Sequence, residues 1–190
     1  MDIQRAKRYL IIPEDCLLLV IDIQDRLYNA MESDFREVFL NNGKILIETM
    51  HAFACPVVVT EQYPRGLGAT LSDIGALIEG LHKYEKLAFS CCRDDNIASV
   101  IDDSGKKTVI VTGIETHVCV LQTVLDLLCR GYKVVVAADA VCSRRDYDRI
   151  YALDAMAGAG ALVYTTEAIA FMLLERAGTD IFKKISPFLR

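Results

Sequence analysis

Apolar runs that alternate with segments of helical spacing constrain the fold of this chain more than any other feature. Six runs predict strands at residues 16–24, 57–60, 82–90, 107–112, 132–138 and 161–164, and the intervening apolar periodicity predicts helices at 34–53, 71–81, 94–101, 116–130, 146–158 and 166–177. Several runs are apolar throughout, as strands are when helices cover both faces of a parallel sheet. This order predicts one α/β domain over residues 1–190 with a six-stranded, mainly parallel, doubly wound sheet.

The charge balance argues against two large classes of partner. The chain carries 21 basic and 26 acidic residues, for a net charge of −5, which provides no electrostatic footprint for nucleic acid or an anionic membrane. No apolar run reaches the roughly 20 residues that a membrane helix needs. The opening stretch M-D-I-Q-R-A-K-R-Y-L-I-I-P is interpreted as a short lead-in rather than a signal peptide. We therefore expect no nucleic acid and no membrane as partners.

The cysteine pattern indicates a reducing compartment. Seven cysteines form no C-x-x-C pair and leave an odd count, which argues against a disulfide framework. This predicts a cytoplasmic location, with the mitochondrion left open. The neighbouring Cys91 and Cys92 do not suit disulfide geometry. No Cys/His grouping has zinc-like spacing, so we expect neither a metal nor a cofactor.

Polar residues lie at or near the carboxyl ends of five predicted strands. They are Asp22, Gln62, Lys86, Cys119 and Asp139. Open α/β sheets bind ligands at this edge, so these residues are the candidates for chemistry. Asp139, in V-V-A-A-D-A, is expected to have a structural or helix-capping role.

The stretch V-I-V-T-G-I-E-T-H-V-C-V at residues 109–120 gives Cys119 the best position for catalysis. It predicts a buried strand that ends at Gly113, followed by a helix with Thr116 as N-cap and Cys119 in its first turn. Backbone N–H groups and the helix dipole would then lower the pKa of the thiol and favour a nucleophilic thiolate. The alternative is that Cys119 is a small core residue.

A cysteine nucleophile needs a base, a cation and donors for an oxyanion. Asp22 can serve as the base and Lys86 as the cation, with backbone N–H groups of Glu115 and Cys119 as the donors. The predicted reaction is attack of Cys119 on an amide, imide or activated acyl carbon, followed by hydrolysis of a thioester. His117 is too close in sequence to Cys119 to face it on a helix, and we expect it to take no direct part. Arg144 and Arg145 are expected to be solvated or interfacial.

Three segments of the chain resemble the catalytic segments of the isochorismatase-like cysteine hydrolases. They are L-L-L-V-I-D-I-Q around Asp22, Lys86 before L-A-F-S, and G-I-E-T-H-V-C-V around Cys119, in the same order and at similar spacing. The resemblance extends over about residues 13–176. It implies a three-layer α/β/α sandwich and an Asp22, Lys86 and Cys119 triad. It also implies a cis peptide between Ile114 and Glu115 that turns the N–H groups of Glu115 and Cys119 toward the oxyanion.

The departures from the family pattern concern the metal and the substrate. Metal-containing nicotinamidases of this family carry Asp-x-His after the second strand, whereas this chain has T-E-Q-Y-P-R-G-L-G there. The resemblance therefore implies a thiol-using hydrolase of a small-molecule amide or related C–N bond without a metal, and it leaves the substrate unnamed. Gln24, Gln62 and Tyr63 are the expected substrate-pocket residues. A non-catalytic binding or scaffold protein is the alternative.

One apolar helix face suggests that copies of the chain associate. Residues 171–174, F-M-L-L, carry more apolar surface than the helix needs to pack against a small sheet. We therefore expect a homo-oligomer with a small-molecule substrate.

Overall fold

A sheet of six strands forms the centre of the molecule. The computed structural model describes residues 6–189, without the side chains of residues 33 and 34; residues 1–5 of the predicted lead-in lie outside that range. The strands are β1 (Cys16–Ile21), β2 (Val57–Gln62), β3 (Lys83–Lys86), β4 (Thr108–Ile114), β5 (Lys133–Cys142) and β6 (Leu162–Tyr164). They pair in the order β3-β2-β1-β4-β5-β6, and every one of these pairings is parallel. The predicted fold class is confirmed, and the sheet is parallel throughout.

Helices connect the strands and cover both faces of the sheet. They are α1 (Asp25–Ala30), α2 (Ser33–Ala52), α3 (Pro64–Leu67), α4 (Ser72–Gly75), α5 (Asp95–Asp103), α6 (Leu121–Cys129), α7 (Asp146–Ala159), α8 (Thr166–Leu174) and α9 (Asp180–Ile185). One π-helical turn, Thr116–Val120, precedes α6. None of the helices in residues 6–189 is both long enough and apolar enough to cross a membrane.

Alternate residues of β1 pack into two separate cores, because successive side chains of a strand point to opposite faces. Leu18 and Val20 pack with α2 and α8, and Leu17 and Leu19 pack with α5, α6 and α7. This gives the three layers of an α/β/α sandwich. The strand order reverses between β1 and β4, which places a ligand-binding crevice beyond their carboxyl ends.

Several predicted element ends were wrong. β4 continues through Gly113 to Ile114, and β5 continues past Asp139 to Cys142. The third strand stops at Lys86 instead of residue 90, and the helix predicted at 71–81 is only α4. The segment between the strand predicted at 57–60 and the helix predicted at 71–81 contains the end of β2 and all of α3. Helix α9 lies beyond the last predicted helix, which ended at residue 177, and the Thr179 hydroxyl caps it by accepting from the N–H of Phe182.

Gly113 allows β4 to approach β1 closely at the edge that carries the candidate residues. Its φ is +138°, in the region that favours glycine. A Cβ atom built on it would lie 2.1 Å from the carbonyl oxygen of Ile21, the residue before Asp22. The β4–β5 pairing shifts register between Val111 and Gly113, so both strands continue beyond the predicted ends. A side chain at position 113 is therefore incompatible with this strand spacing.

We expect Gly113→Ala to lower the free energy of unfolding by about 3 kcal/mol, because the methyl group overlaps rigid backbone. The matched control is Gly158→Ala in α7, where a Cβ atom meets nothing within 4 Å. That change should raise the stability by about 0.5–1 kcal/mol, the usual gain for alanine over glycine in a helix. Urea unfolding followed by circular dichroism measures both. Equal stability of the two variants would contradict the steric argument.

Candidate active site

Asp22 and Lys86 form a buried ion pair across three neighbouring strands. Asp22 follows β1 in a left-handed conformation with φ of 52°, and its N–H donates to the carbonyl of Thr60. Lys86 ends β3, and its Nζ lies 2.7 Å from Asp22 Oδ2; both side chains are fully buried. The Thr60 hydroxyl, on β2 between them, donates to Asp22 Oδ1 at 2.7 Å. Both carboxylate oxygens therefore have a donor, as a buried charge requires.

The Lys86 ammonium has no hydrogen left for a substrate. Besides Asp22, its acceptors are Gln62 Oε1 at 2.7 Å, the carbonyl of Phe89 at 3.0 Å and the carbonyl of Ala88 at 3.3 Å. An ammonium has only three hydrogens to donate. Burial is the largest single influence and acts to lower the pKa of Lys86, but the charge and hydrogen bond of Asp22, together with Cys91 and Cys119, outweigh it, and the pKa is raised. Lys86 thus remains a cation that holds Asp22.

Cys119 lies in the π-helical turn, opposite this pair. The carbonyl of Glu115 accepts from the N–H groups of Val118 and Val120. The N–H of Cys119 lies between them in the same turn, and the N–H of Glu115 has no hydrogen-bond acceptor among the described residues. The peptide bond between Ile114 and Glu115 is cis. The N–H of Glu115 could therefore donate to an oxyanion, and the second donor, the N–H of Cys119, stays a prediction.

The predicted helix cap at Thr116 was wrong. Glu115 occupies the N-cap position in an extended conformation, and its side chain makes no capping hydrogen bond. Thr116 is the first residue of the π-helical turn. The Thr116 hydroxyl is buried without a hydrogen-bond partner in the described residues. The strand extends two residues further than predicted, so the helical segment begins beyond the residue that local sequence favours as a cap.

The pKa of the Cys119 thiol is raised, which contradicts the predicted lowering. Burial is the main cause, and the negative charge of Asp22 raises the pKa further, while the Lys86 ammonium opposes the rise without cancelling it. The position near the helix start suggested a thiolate, but desolvation and the neighbouring carboxylate dominate. In the resting site Cys119 is a thiol, with a carboxylate beside it that can receive its proton.

The three expected substrate-pocket residues differ in their surroundings. The Gln24 amide is buried and bonds to backbone: its Nε2 donates to Gln62 O and Gly68 O, and its Oε1 accepts from Gln62 N. The Gln62 Nε2 donates to the carbonyl of Leu87 at 2.9 Å. Tyr63 is exposed and lines a cavity of about 570 Å³ that also includes Lys86 and Leu87. Gln24 and Gln62 thus brace the strand ends, and the substrate pocket stays a prediction.

Other candidates from the sequence lie apart from the triad. Asp139 Oδ1 accepts from the N–H and hydroxyl of Thr166, which confirms its helix-capping role at α8. The His117 ring bonds to Ser143 rather than to Cys119.

Thr60 was not among the residues predicted from the sequence, although its place on the strand next to Asp22 is the signal that could have identified it. Among the described residues, no group of three or more His, Cys, Asp and Glu side chains could hold a metal ion.

Comparisons with known proteins agree with this fold. The isochorismatase domain model matches residues 16–168. Isochorismatase family protein 1B of Dictyostelium discoideum is 37% identical over 185 residues, covering 95% of this chain and 88% of that protein. The structure of MAR1 ribonuclease from Caenorhabditis elegans is 34% identical with a TM-score of 0.88, covering 95% of this chain and 92% of that one. The YcaC product of Escherichia coli, described as an octameric hydrolase of unknown specificity, is 24% identical with a TM-score of 0.87, covering 95% and 89%.

We expect Asp22→Asn to accelerate alkylation of Cys119 by iodoacetamide at pH 7, although it removes the base. The amide has the same size and suits the left-handed conformation, but it lacks the charge that raises the pKa of Cys119, so more thiolate forms. Peptide mass spectrometry measures the rate, with the exposed Cys129 of the same molecule as the internal reference. Slower labelling of Cys119 in the variant would contradict this assignment of charge.

Proposed function

This chain belongs to the isochorismatase family, and we propose that it is a cysteine hydrolase that cleaves a small-molecule amide or related C–N bond through a thioester on Cys119. The observation that carries the proposal is the buried Asp22–Lys86 pair beside Cys119, whose thiol pKa is raised by burial and by Asp22. A thiol next to a carboxylate that can take its proton is the arrangement that a cysteine nucleophile requires.

The first half of the proposed reaction forms the thioester. As Cys119 Sγ attacks the carbonyl carbon, its proton moves to the Asp22 carboxylate, and the carbonyl oxygen becomes an oxyanion. The N–H groups of Glu115 and Cys119 donate to that oxygen. The oxyanion then collapses, the C–N bond breaks, and the protonated Asp22 gives its proton to the departing nitrogen. An amine leaves far more easily once it is protonated, which explains the need for an acid at this position.

The second half returns the enzyme to its starting state. Asp22, again a carboxylate, accepts a proton from a water molecule as that water attacks the thioester carbon. The C–S bond breaks and the thiolate recovers a proton from Asp22, so the net reaction is amide plus water giving acid plus amine. Lys86 keeps its proton throughout, because its acceptors include Asp22 and two backbone carbonyls. Its positive charge stabilises Asp22 as the carboxylate at the start of each half-reaction.

Two other functions compete with this proposal. The C. elegans relative is a ribonuclease by name, but cleavage of RNA calls for cations at the phosphate, and this chain has a net charge of −5 and a Lys86 without a free hydrogen. A non-catalytic small-molecule-binding or scaffold protein would retain the fold without using the thiol. The raised pKa of Cys119 does not separate this alternative from an enzyme, so turnover must do so.

We further propose that copies of the chain associate in the cytoplasm or mitochondrion. Large apolar side chains remain on the surface, with Leu87 76% and Tyr151 72% exposed. Of the predicted apolar face, Leu173 and Leu174 are buried within the chain, and Phe171 remains 46% exposed. The related E. coli YcaC product is described as an octamer. All seven cysteines are free, which suits a reducing compartment.

We expect Cys119→Ser to lower the rate of amine or ammonia release by at least about a hundredfold on any amide that the wild type hydrolyses, because a serine hydroxyl is a much weaker nucleophile beside this base. A panel of small amides, with RNA included, supplies the substrates, and rapid acid quench with mass spectrometry looks for an acyl group on Cys119. Cys129→Ser, which changes an exposed cysteine, is the control and should retain full activity. Equal turnover by wild type and Cys119→Ser would exclude the thioester route.

We expect the native particle to exceed the 21.1 kDa mass of one chain several-fold. Burial of the exposed apolar side chains is the physical reason. Light scattering coupled to size-exclusion chromatography gives the mass directly. A mass of one chain at every concentration would rule out the oligomer.

A further inference from the structure

The loop after β5 contacts the turn that carries the nucleophile at two points. The first contact joins Glu115 to Arg144: Glu115 Oε2 accepts from the backbone N–H of Arg144 at 3.1 Å and from its Nε at 3.0 Å. The Glu115 side chain is 8% exposed, whereas that of Arg144 is 59% exposed. A nearly buried carboxylate therefore receives two donors from one residue, one of them charged. Hydrogen bonds to a charged group are stronger than neutral ones and fix geometry as well as charge.

The second contact joins His117, two residues after Glu115, to Ser143. The Nδ1 of His117 lies 3.0 Å from the hydroxyl oxygen of the buried Ser143. The Nε2 of His117 lies 3.9 Å from Asp148 Oδ2, in the first turn of α7. Ser143 and Arg144 thus hold the residues on either side of Thr116.

The other end of the turn has its own support. The Thr123 hydroxyl, in α6, donates to the carbonyl of Cys119 at 2.6 Å and accepts from the N–H of Cys91 at 3.0 Å. This support fixes the carbonyl of Cys119 but does not reach Glu115. Since the N–H of Glu115 makes no hydrogen bond among the described residues, its orientation depends on the contacts of its own side chain and of the turn that follows it.

We propose that Arg144 is a positioning residue for the oxyanion site: by holding the Glu115 carboxylate, it keeps the backbone N–H of Glu115 aligned with that of Cys119. This inference rests on the proposed function for its catalytic consequence, though the contact itself does not. The guanidinium end of this pair is exposed, and the backbone N–H of residue 144 would still donate to Glu115 after a substitution, which limits the cost to stability. A misalignment of about 1 Å in a reacting site, by contrast, costs up to about a hundredfold in rate. We therefore expect the effect of Arg144 on chemistry to exceed its effect on unfolding.

Arg145 provides a matched control, because it is the neighbouring arginine on the same loop. Its Nη1 donates to the Tyr147 hydroxyl at 2.6 Å, and its guanidinium lies 5.8 Å from the centre of that ring. It makes no contact with the nucleophile turn among the described residues. Arg144→Ala and Arg145→Ala remove the same side chain and the same charge, but only Arg144→Ala removes a side-chain bond to Glu115, whereas Arg145→Ala removes a contact with Tyr147.

The first experiment measures hydrogen exchange of the peptide containing residues 114–120 in the full-length protein. The N–H groups of Val118 and Val120 bond to the carbonyl of Glu115, so loosening Glu115 should speed their exchange. We expect exchange in this peptide to rise by about tenfold in Arg144→Ala, to rise less in Arg144→Lys, which keeps the charge, and to be unchanged in Arg145→Ala. Exchange in Arg144→Ala equal to wild type would overturn the proposal.

The second experiment compares two electrophiles at Cys119 by mass spectrometry. Addition to acrylamide moves negative charge onto the amide oxygen, whereas alkylation by iodoacetamide expels iodide and leaves the amide oxygen without new charge. Arg144→Ala should therefore lower the acrylamide rate by about tenfold and change the iodoacetamide rate by less than about twofold. An equal fall for both reagents, or no fall for either, would overturn the role in the oxyanion site. If wild-type Cys119 accepts neither reagent, the proposed function fails, and the hydrogen-exchange comparison still decides whether Arg144 positions the turn.

Discussion

The buried ion pair between Asp22 and Lys86 is the interaction on which the rest of the site depends. Removing two charges from water costs several kcal/mol per ion. Their attraction offsets this cost only where further hydrogen bonds satisfy the remaining donors and acceptors of both groups. Here the hydroxyl of Thr60 donates a second hydrogen bond to the Asp22 carboxylate. The Lys86 ammonium donates to the Gln62 side chain and to two backbone carbonyls. The requirement explains why β3 is short: the chain must turn after Lys86 so that the carbonyls of Ala88 and Phe89 face back toward its Nζ.

The charge of this pair determines the state of the nucleophile. With the ammonium bound to so many acceptors, Lys86 acts on Cys119 only through space, and it lowers the pKa of the thiol less than burial and Asp22 raise it. The thiol therefore keeps its proton, which protects a cysteine from oxidation, and in the proposed mechanism Asp22 receives that proton when a substrate is attacked. The close approach of β4 to β1 at Gly113 brings the turn containing Cys119 to the same strand ends as Asp22.

Much of this arrangement was predictable because apolar runs and strand-end residues are local signals. Asp22, Lys86 and Cys119 could be identified as candidates from their places at the ends of runs, and the parallel order of the sheet then brings strand ends together. The ends of β4 and β5 were predicted too early because Gly113 and Asp139 usually terminate strands. In this sheet a register shift between the two strands lets both continue. The bonds from Arg144 to Glu115 join residues 29 positions apart, and no pattern of apolar residues along the sequence predicts such a contact.

The sequence by itself determined the parallel α/β sheet, the family and the identity of the candidate nucleophile, because these follow from hydrophobic periodicity and from residue types in short segments. Only the tertiary structure decided the protonation of Cys119, the acceptors that occupy Lys86 and the side chains that hold Glu115. Each of these depends on desolvation or on distances of about 3 Å between groups from different strands. A pKa is set by everything within several ångströms of the titrating atom, so the local helix-start argument gave the wrong direction for Cys119.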